Sequence, residues 1–530
     1  MNDNGWLFVA AAKGIQRYVL SGDKLTEMIG ASERVDRLPR QVLNALLREA
    51  GVAAKPLTQA AGGARLLCQN ETDARRLALL WPAIASNFAP GLEMACAIAP
   101  VDDRLGTALT VAENRLLRHR NEPQIPLPPA GPLVARNPRS GLPAVTTVNK
   151  DGWLDIAAAR QRLLNDPAHF GLLGRVIPDK AQAPAYRRNF DDFVQSGSNY
   201  VAVLHADVNG LGQAVQRMIP ELDAMPLDEA TDKYTRFSAA TARATEAAAQ
   251  SAVGGYLTAL QQRTGRPIEA FAFRPIVCAG EDFTAVMQAD DAVDFVRTYL
   301  TALEQQSAAA LRKLGLSSLP AEGFTACAGI VFCKRNYPFL QAYAVAESLC
   351  AYAKKHSGRR ASALAFTRIK SSLTAGEGYA DIVEAAFTSA GSVLTMNPYH
   401  VGDRPRNGLP SLAGLEQLRD ALQGVPRNQL REFVSRVYDG PDAADLAFER
   451  LEMLLEDRNQ ERKLEALKEG FRAVSGAGLW EERQGQSRRT PLYDALELLQ
   501  FSSARPSRQP AGQRLNQPSH HYRANLRRHH

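Results

Sequence analysis

The chain has 530 residues, 45 % hydrophobic and 22 % charged, an ordinary globular balance that allows roughly three or four domains at ~150 residues each. Its net charge is +7, but six arginines and no acid lie between Ala504 and His530, so 7 − 6 leaves +1 on the rest and the basicity is a tail. No apolar run reaches the ~18–20 residues of a membrane span and no secretory leader is visible, while the six cysteines, none in C-x-x-C spacing, read as core residues of a reducing cytosol.

In chain order, Leu7–Ala11 reads as a strand and Asp23–Glu49 as helix interrupted at Pro39. Gly62-Gly63-Ala64-Arg65 reads as a turn into a strand at Leu66–Cys68, followed by helix over Thr72–Phe88, strand over Glu93–Ala99 and helix over Asp102–Arg120. Residues 121–198 hold many prolines (Pro123, Pro126, Pro128, Pro129 among them) and read as a linker with local structure.

Tyr200–Ala206 is a continuous apolar run, as a strand buried on both faces requires. It ends in Asp207-Val208-Asn209-Gly210-Leu211-Gly212, a turn, and helices near Gln213–Met218 and over Asp228–Gln262 follow. Ile276–Ala279 and Phe283–Met287 are strands joined by a tight Gly280-Glu281-Asp282 turn. Helix from Asp291 to Leu314, strand Phe324–Phe332, helix Pro338–Lys355 and strand Leu364–Phe366 complete an α/β sandwich with a central hairpin.

The order of elements in the first 120 residues repeats that of the later region in weaker form, with Ala11 or a neighbour where Asp207 falls and Gly62–Arg65 where Ala279–Asp282 falls. The first copy keeps the scaffold without the acids, and Arg65 argues against a metal there. From Thr374 to Phe501 the pattern is mostly helical, with stretches at Leu412–Leu422, Arg427–Tyr438 and Ala443–Phe471.

Three carboxylates, Asp207, Glu281 and Asp282, are expected to meet at one sheet edge if their strands are neighbours. Clustered carboxylates repel, so such a group holds hard cations, and Mg²⁺ or Mn²⁺ bound there can activate a hydroxyl and steady a leaving pyrophosphate. The same repulsion predicts that Asp207→Asn and Asp282→Asn leave the stability of the metal-free protein equal or slightly higher. Gly210 and Gly212 precede a helix whose N–H groups can cradle phosphate, and Lys354 and Lys355 end a helix within reach of a triphosphate. His205 reads as a core or supporting histidine. No Walker A sequence, G-x-S-x-G or H-E-x-x-H competes.

These residues resemble the polymerase/cyclase palm shared by diguanylate cyclases and the large subunit of type III CRISPR effectors, the Cas-ten family. Ala279-Gly280-Glu281-Asp282-Phe283 stands where the cyclases carry G-G-[DE]-E-F and where the Cas-ten family carries G-G-D-D. Asp207–Gly212 resembles the first metal-binding turn of the Cas-ten palm; Gly329–Phe332, Tyr337–Phe339 and Ala346–Lys355 resemble its later strand and helix. Gly14–Val19, Lys24-Leu25 and Gly30–Ser32 resemble the family's degenerate first palm. The chain departs from the family pattern in three ways: Ala279 replaces the turn's first glycine, no His-Asp dipeptide marks a nuclease domain, and arginines around Arg139–Pro143 stand where cysteine pairs are often found. A stand-alone relative without the nuclease domain fits these departures. The guanine-reading Asn of the diguanylate cyclases falls on Val215 and their phosphate-contacting Lys on Gly212, which favours the CRISPR-like palm.

The resemblance implies two ferredoxin-like palm domains, the first degenerate (residues 1–120) and the second at 199–372, separated by the 121–198 linker and followed by a helical domain at 373–503 and a basic tail at 504–530. It implies a Mg²⁺- or Mn²⁺-dependent nucleotidyltransferase making cyclic or linear oligoadenylates from ATP in antiviral defence. Asp207, the Val208 carbonyl, Glu281 and Asp282 would hold metal, with Asn209, Gly210, Gly212, Gly280, Lys354 and Lys355 at the nucleotide. The implied partners are ATP or another NTP, RNA or CRISPR-type subunits and a second copy through the palms. The alternatives are a non-catalytic scaffold binding RNA or partner subunits, and a cyclase making a guanine dinucleotide.

Overall fold

The computed structural model describes residues 5–22, 24–60, 62–122, 128–148, 152–164, 171–178, 199–265, 272–369, 378–389, 391–457, 460–481 and 487–501. The basic tail expected over 504–530 lies outside the described residues. The N-terminal unit runs β1 (Trp6–Lys13), α1 (Ile15–Val19), α2 (Leu25–Arg37), α3 (Leu43–Glu49), β2 (Ala54–Ala60), β3 (Gly63–Cys68), α4 (Glu71–Phe88), β4 (Glu93–Pro100) and α5 (Leu105–Asn121). Pro39 does interrupt the first long helical stretch, which passes from α2 to α3 through a wider turn at Leu38–Val42.

The 121–198 segment carries a hairpin of β5 (Ala144–Val148) and β6 (Gly152–Asp155) and two short helices, α6 (Ile156–Arg162) and α7 (Leu172–Val176). The second unit runs β7 (Tyr200–Val208), α8 (Leu211–Asp223), α9 (Leu227–Thr264), β8 (Phe273–Ala279), β9 (Asp282–Gln288), α10 (Ala292–Arg312), β10 (Ala326–Lys334), α11 (Phe339–His356) and β11 (Ala363–Arg368). The C-terminal part holds α12 (Tyr379–Ala386), β12 (Thr388–Ser389), β13 (Ser392–Val393), β14 (Tyr399–His400), α13 (Leu412–Gln423), α14 (Arg427–Tyr438), α15 (Pro441–Asp457), α16 (Glu461–Ser475), β15 (Arg488–Arg489) and α17 (Leu492–Phe501). The single stretch expected over Ala443–Phe471 is therefore two helices, and a small β12-β13-β15 sheet sits among them.

The strands order as β2-β3-β1-β4 in the first sheet and β14-β11-β10-β7-β9-β8 in the second. Within both, the unit's second, third, first and fourth strands lie side by side, so the repeated order read from the sequence is a repeated topology and the fold is α/β. The second sheet extends past β11, which pairs in parallel with β10 and carries β14 on its outer side.

Alternation along the central strands explains the layering. Leu7 and Val9 face one core with Ala202 and Leu204, while Phe8 and Ala10 face another with Val201 and Val203. α10 packs on the first of these faces, over β10, β7 and β9, and α11 on the opposite face of β7 and β10, so the two central strands β7 and β10 are covered on both sides.

The repeat also aligns residue by residue. Asp207 pairs with Asp282 across β7 and β9, and Ala279 pairs with Asp282 across the hairpin. Ala11 pairs with Gly63, and Ala60 pairs with Gly63. Ala11 thus stands where Asp207 does, as the sequence indicated, but Gly63 rather than Arg65 stands where Asp282 does. The turn precedes Gly63, and Arg65 already lies within β3, where its guanidinium pairs with Glu113 at 2.6 Å.

Candidate active site

β7 delivers Asp207 to the sheet edge, and β9 begins with Asp282 directly opposite. Residues directly opposite in an antiparallel pair project to one face, so the two carboxylates share it with His205 and Thr284 further along. Three contacts hold the Gly280 turn in place. Gly280 takes φ 65°, a left-handed conformation that glycine adopts without penalty. Its carbonyl accepts from the Thr245 hydroxyl of α9 at 2.9 Å, and Phe283 stacks on Tyr299 of α10 at 4.6 Å. The Val208 N–H closes the edge by donating to the Glu281 carbonyl at 3.3 Å.

Gly210, at φ 68°, turns the chain into α8, and a Cβ at Gly212 would meet no atom within 4 Å, leaving backbone open there. Asn209, expected at the nucleotide, is buried instead. Its N–H donates to the Thr325 carbonyl at 2.8 Å and its side-chain amide to the Thr325 hydroxyl at 2.9 Å, which anchors the turn on the start of β10. Val215, where a diguanylate cyclase reads guanine, packs against the core.

α11 brings the two lysines very different roles. Lys355 is exposed, whereas Lys354 is buried, ion-paired with Asp207 Oδ2, and donates to the Val208 carbonyl at 3.1 Å. The expected triphosphate lysine is therefore seated on two of the expected metal donors. Two turns earlier on α11, Glu347 adds a fourth carboxylate that the sequence reading missed. Its desolvation and the Asp207 charge hold its carboxyl above the usual range.

The acids are strongly coupled. Burial, then Asp207 and Glu281, push the Asp282 carboxyl up to about 7 against the pull of Lys354. Burial and Asp207 also raise Glu281. His205 is pushed down to about 4 by burial, so it is neutral at pH 7; its Nδ1 lies 3.1 Å from the Thr284 hydroxyl. A neutral, buried, partnered histidine supports the edge rather than acting as its base.

The edge opens on a cleft of about 400 Å³ between the two sheets, large enough for a nucleotide-sized ligand. Glu281, Asp282 and His205 line it together with Gln16, Arg65, Arg120, Asp36 and Glu113, whereas Asp207 and Lys354 are not among its lining residues. Among the described residues no group of three or more His, Cys, Asp or Glu side chains is arranged as a metal cage. The donors nonetheless fit one hard cation chemically. Asp207 Oδ1 is buried without a partner, the Val208 carbonyl faces the same point as Oδ2, and Mg²⁺ needs only one or two carboxylates when water and substrate phosphates complete its shell.

Comparison with known families and structures places these residues in context. Residues 200–363 match the family model described as Cas10/Cmr2, second palm domain. Comparison with curated proteins gives no match. Solved structures similar to the chain include Csm1 in T. onnurineus (14 % identity, TM-score 0.48, 94 % of this chain and 69 % of that one). The apo Csm1-Csm4 cassette is another (13 %, TM-score 0.47, 94 % and 70 %). The Csm1-Csm4 cassette in complex with AMPPNP is a third (14 %, TM-score 0.40, 68 % and 54 %), so this chain spans about half the length of that relative. Residues 200–363, which carry Asp207, Glu281, Asp282 and Lys354, are thus similar to the second palm domain of the Cas10/Cmr2 family, as the Gly280–Asp282 turn and the acid at the end of β7 indicated.

Proposed function

We propose that this chain is a nucleotidyltransferase of the palm type that joins ATP into cyclic or linear oligoadenylates, as a relative of the large subunit of type III CRISPR effectors acting in antiviral defence. The observation that carries the reading is the pairing of Asp207 with Asp282 at a sheet edge whose Glu281 and Asp282 line the inter-sheet cleft. Asp207, the Val208 carbonyl and Asp282 would hold Mg²⁺ or Mn²⁺, with Glu281 beside them. A cation held there supplies charge neutralisation for the reacting α-phosphate and the departing pyrophosphate. The chain's own part is placement. Gly280 carries no Cβ, so nucleotide can approach the turn closely. The open backbone at Gly212 begins a helix whose N-terminal N–H groups favour anions. Arg120, which lines the cleft, adds positive charge. A 3′-hydroxyl then attacks in line, forming the new O–P bond as the bond to pyrophosphate breaks and the hydroxyl proton passes to water.

One observation favours a second reading. Lys354 already neutralises Asp207, as a non-catalytic scaffold that binds RNA or partner subunits would allow. Incubation with each of the four NTPs in Mg²⁺ or Mn²⁺, followed by mass analysis, separates the readings. Oligoadenylates support the proposal, a guanine dinucleotide shifts it to the cyclase alternative, and inert protein in the presence of candidate RNA activators supports the scaffold.

A further inference from the structure

We infer that the Lys354 ammonium is a resident cation of the acidic edge, and that divalent cation binding proceeds by exchange with it. The inference rests on the metal-site reading above and adds a built-in competitor to it. The Nζ of Lys354 engages Asp207 Oδ2 and the Val208 carbonyl, the same two oxygens assigned to a cation. An ammonium and a divalent ion cannot share those oxygens, because like charges about 3–4 Å apart repel strongly in a partly dry site.

The need for a resident cation follows from the charge count. Asp207, Glu281, Asp282 and Glu347 converge, and among the described residues of this edge the ion pair is the one between Asp207 and Lys354. Without that partner Asp207 would be a partly buried charge with no compensation. Asp207 Oδ1 remains buried and unpartnered, so the lysine satisfies the edge incompletely and leaves room for a better cation. Lys354 lies in the last turn of α11 on a flexible four-carbon stem, so its head can leave while its backbone stays.

Exchange has a consequence for regulation. A displaced ammonium needs a new anion, and nucleotide phosphates provide one. Metal and nucleotide then bind with positive coupling, each weak alone, and by reciprocity each strengthens the other by the same factor. The cluster thereby takes up a metal only weakly when no nucleotide is present, so that saturating Mg²⁺ is needed to free the lysine.

Mn²⁺ titration followed by electron paramagnetic resonance tests this on the full chain, with and without a non-hydrolysable ATP analogue. Lys354→Met is expected to bind Mn²⁺ alone about tenfold or more tightly than the wild type, and the analogue is expected to tighten Mn²⁺ in the wild type far more than in the variant. Amine acylation of wild-type Lys354, read by peptide mass, is expected to be slow without metal, faster with Mg²⁺ and slow again once nucleotide is added. Should Lys354→Met fail to fold, the acylation series decides alone. Unchanged Lys354 acylation on adding Mg²⁺, or equal Mn²⁺ affinity in wild type and Lys354→Met, overturns the exchange. Asp207→Asn binding Mn²⁺ as well as wild type would instead overturn the metal site itself.

Discussion

Asp207 and Asp282 face each other across one strand pair, yet neutralising them should move stability in opposite directions. Burial, and after it the charges of Asp207 and Glu281, hold the Asp282 carboxyl up at about 7, so Asp282→Asn removes both a desolvation cost and repulsion. At pH 8 the metal-free variant is expected to be more stable than wild type by about 1 kcal/mol in chemical denaturation. Asp207→Asn strands the buried Lys354 ammonium and is expected to cost about 2 kcal/mol in the same measurement. Repulsion among the acids alone suggested that neither change would destabilise; the ion pair with Lys354 corrects that for Asp207. Equal and positive shifts in both variants would contradict the ion pair. The three acids were legible because one ends an apolar run and two fill a hairpin turn after glycine. Glu347 was not, because an exposed acid in the middle of a helix carries no local signal and only the packing of α11 brings it to the edge. The seat of Lys354 was equally hidden. Its place at a helix C-terminus is explained by the helix dipole, and sequence does not say which way its head turns.

The strands, their succession along the chain and the Gly280 hairpin were readable wherever a single period held over several residues. β2 escaped because it contains Pro56 and Lys55 and is an edge strand, where such residues are tolerated. The break between α15 and α16 escaped because the charged Asp457–Glu461 stretch has neither glycine nor proline. Two contacts between elements can be tested directly. A Cβ on Gly329 of β10 would stand 2.0 Å from the Ala346 carbonyl of α11, so Gly329→Ala must push that helix off the sheet. A loss of about 3 kcal/mol is expected, with weaker activity because α11 carries Lys354; an unchanged melting temperature would contradict this packing.

The second contact is the docking of α17. Asp494 is fully buried and accepts from the Tyr399 hydroxyl at 2.5 Å, the Met396 N–H at 2.7 Å and the Thr395 hydroxyl at 2.8 Å. Burial outweighs these bonds and pushes its carboxyl from 3.8 up to about 6. The folded state therefore holds this proton more tightly than the unfolded chain does. Its contribution to stability is present below about pH 4 and lost as pH rises to about 6, with no further change above that. The stability difference between wild type and Asp494→Asn is expected to shift by about 1–3 kcal/mol between pH 4 and 7 and to be flat beyond. A difference independent of pH across that window would remove Asp494 from the account.

At the scale of the whole molecule, the segment between the two units is a clamp rather than a passive linker. Glu27 of α2 is wholly buried and takes a bidentate pair from Arg139, at 2.9 and 3.1 Å, and a further bond from Arg162 Nε at 2.9 Å. Burial raises its carboxyl, but the two guanidiniums prevail and hold it below the usual range. Glu33 accepts from the Leu172 N–H at 2.6 Å, and Arg175 reaches from Asp36 at 2.7 Å to the Cys278 carbonyl of β8 at 3.3 Å. The clamp thus fixes the first unit against the strand that leads into the Gly280 turn, which sets the width of the cleft. Glu27→Ala removes the wholly buried acid on which the partly exposed Arg139 and Arg162 converge and is expected to cost about 2–3 kcal/mol by denaturant titration; a loss below about 1 kcal/mol would show that the cluster is not holding the insert. The prolines of 121–198 pointed to a linker with local structure, and no sequence period could show that its arginines meet an acid more than a hundred residues earlier. The central claim is that Asp207 and Asp282 form the reacting edge of an ATP-joining enzyme. Pyrophosphate release from ATP with Mg²⁺, measured for folded wild type, Asp207→Asn and Asp282→Asn, tests it most directly. The account predicts release by wild type, a fall of about a hundredfold to a thousandfold or more in each variant, and little further loss in the double variant; wild-type rates in Asp207→Asn or Asp282→Asn would contradict it.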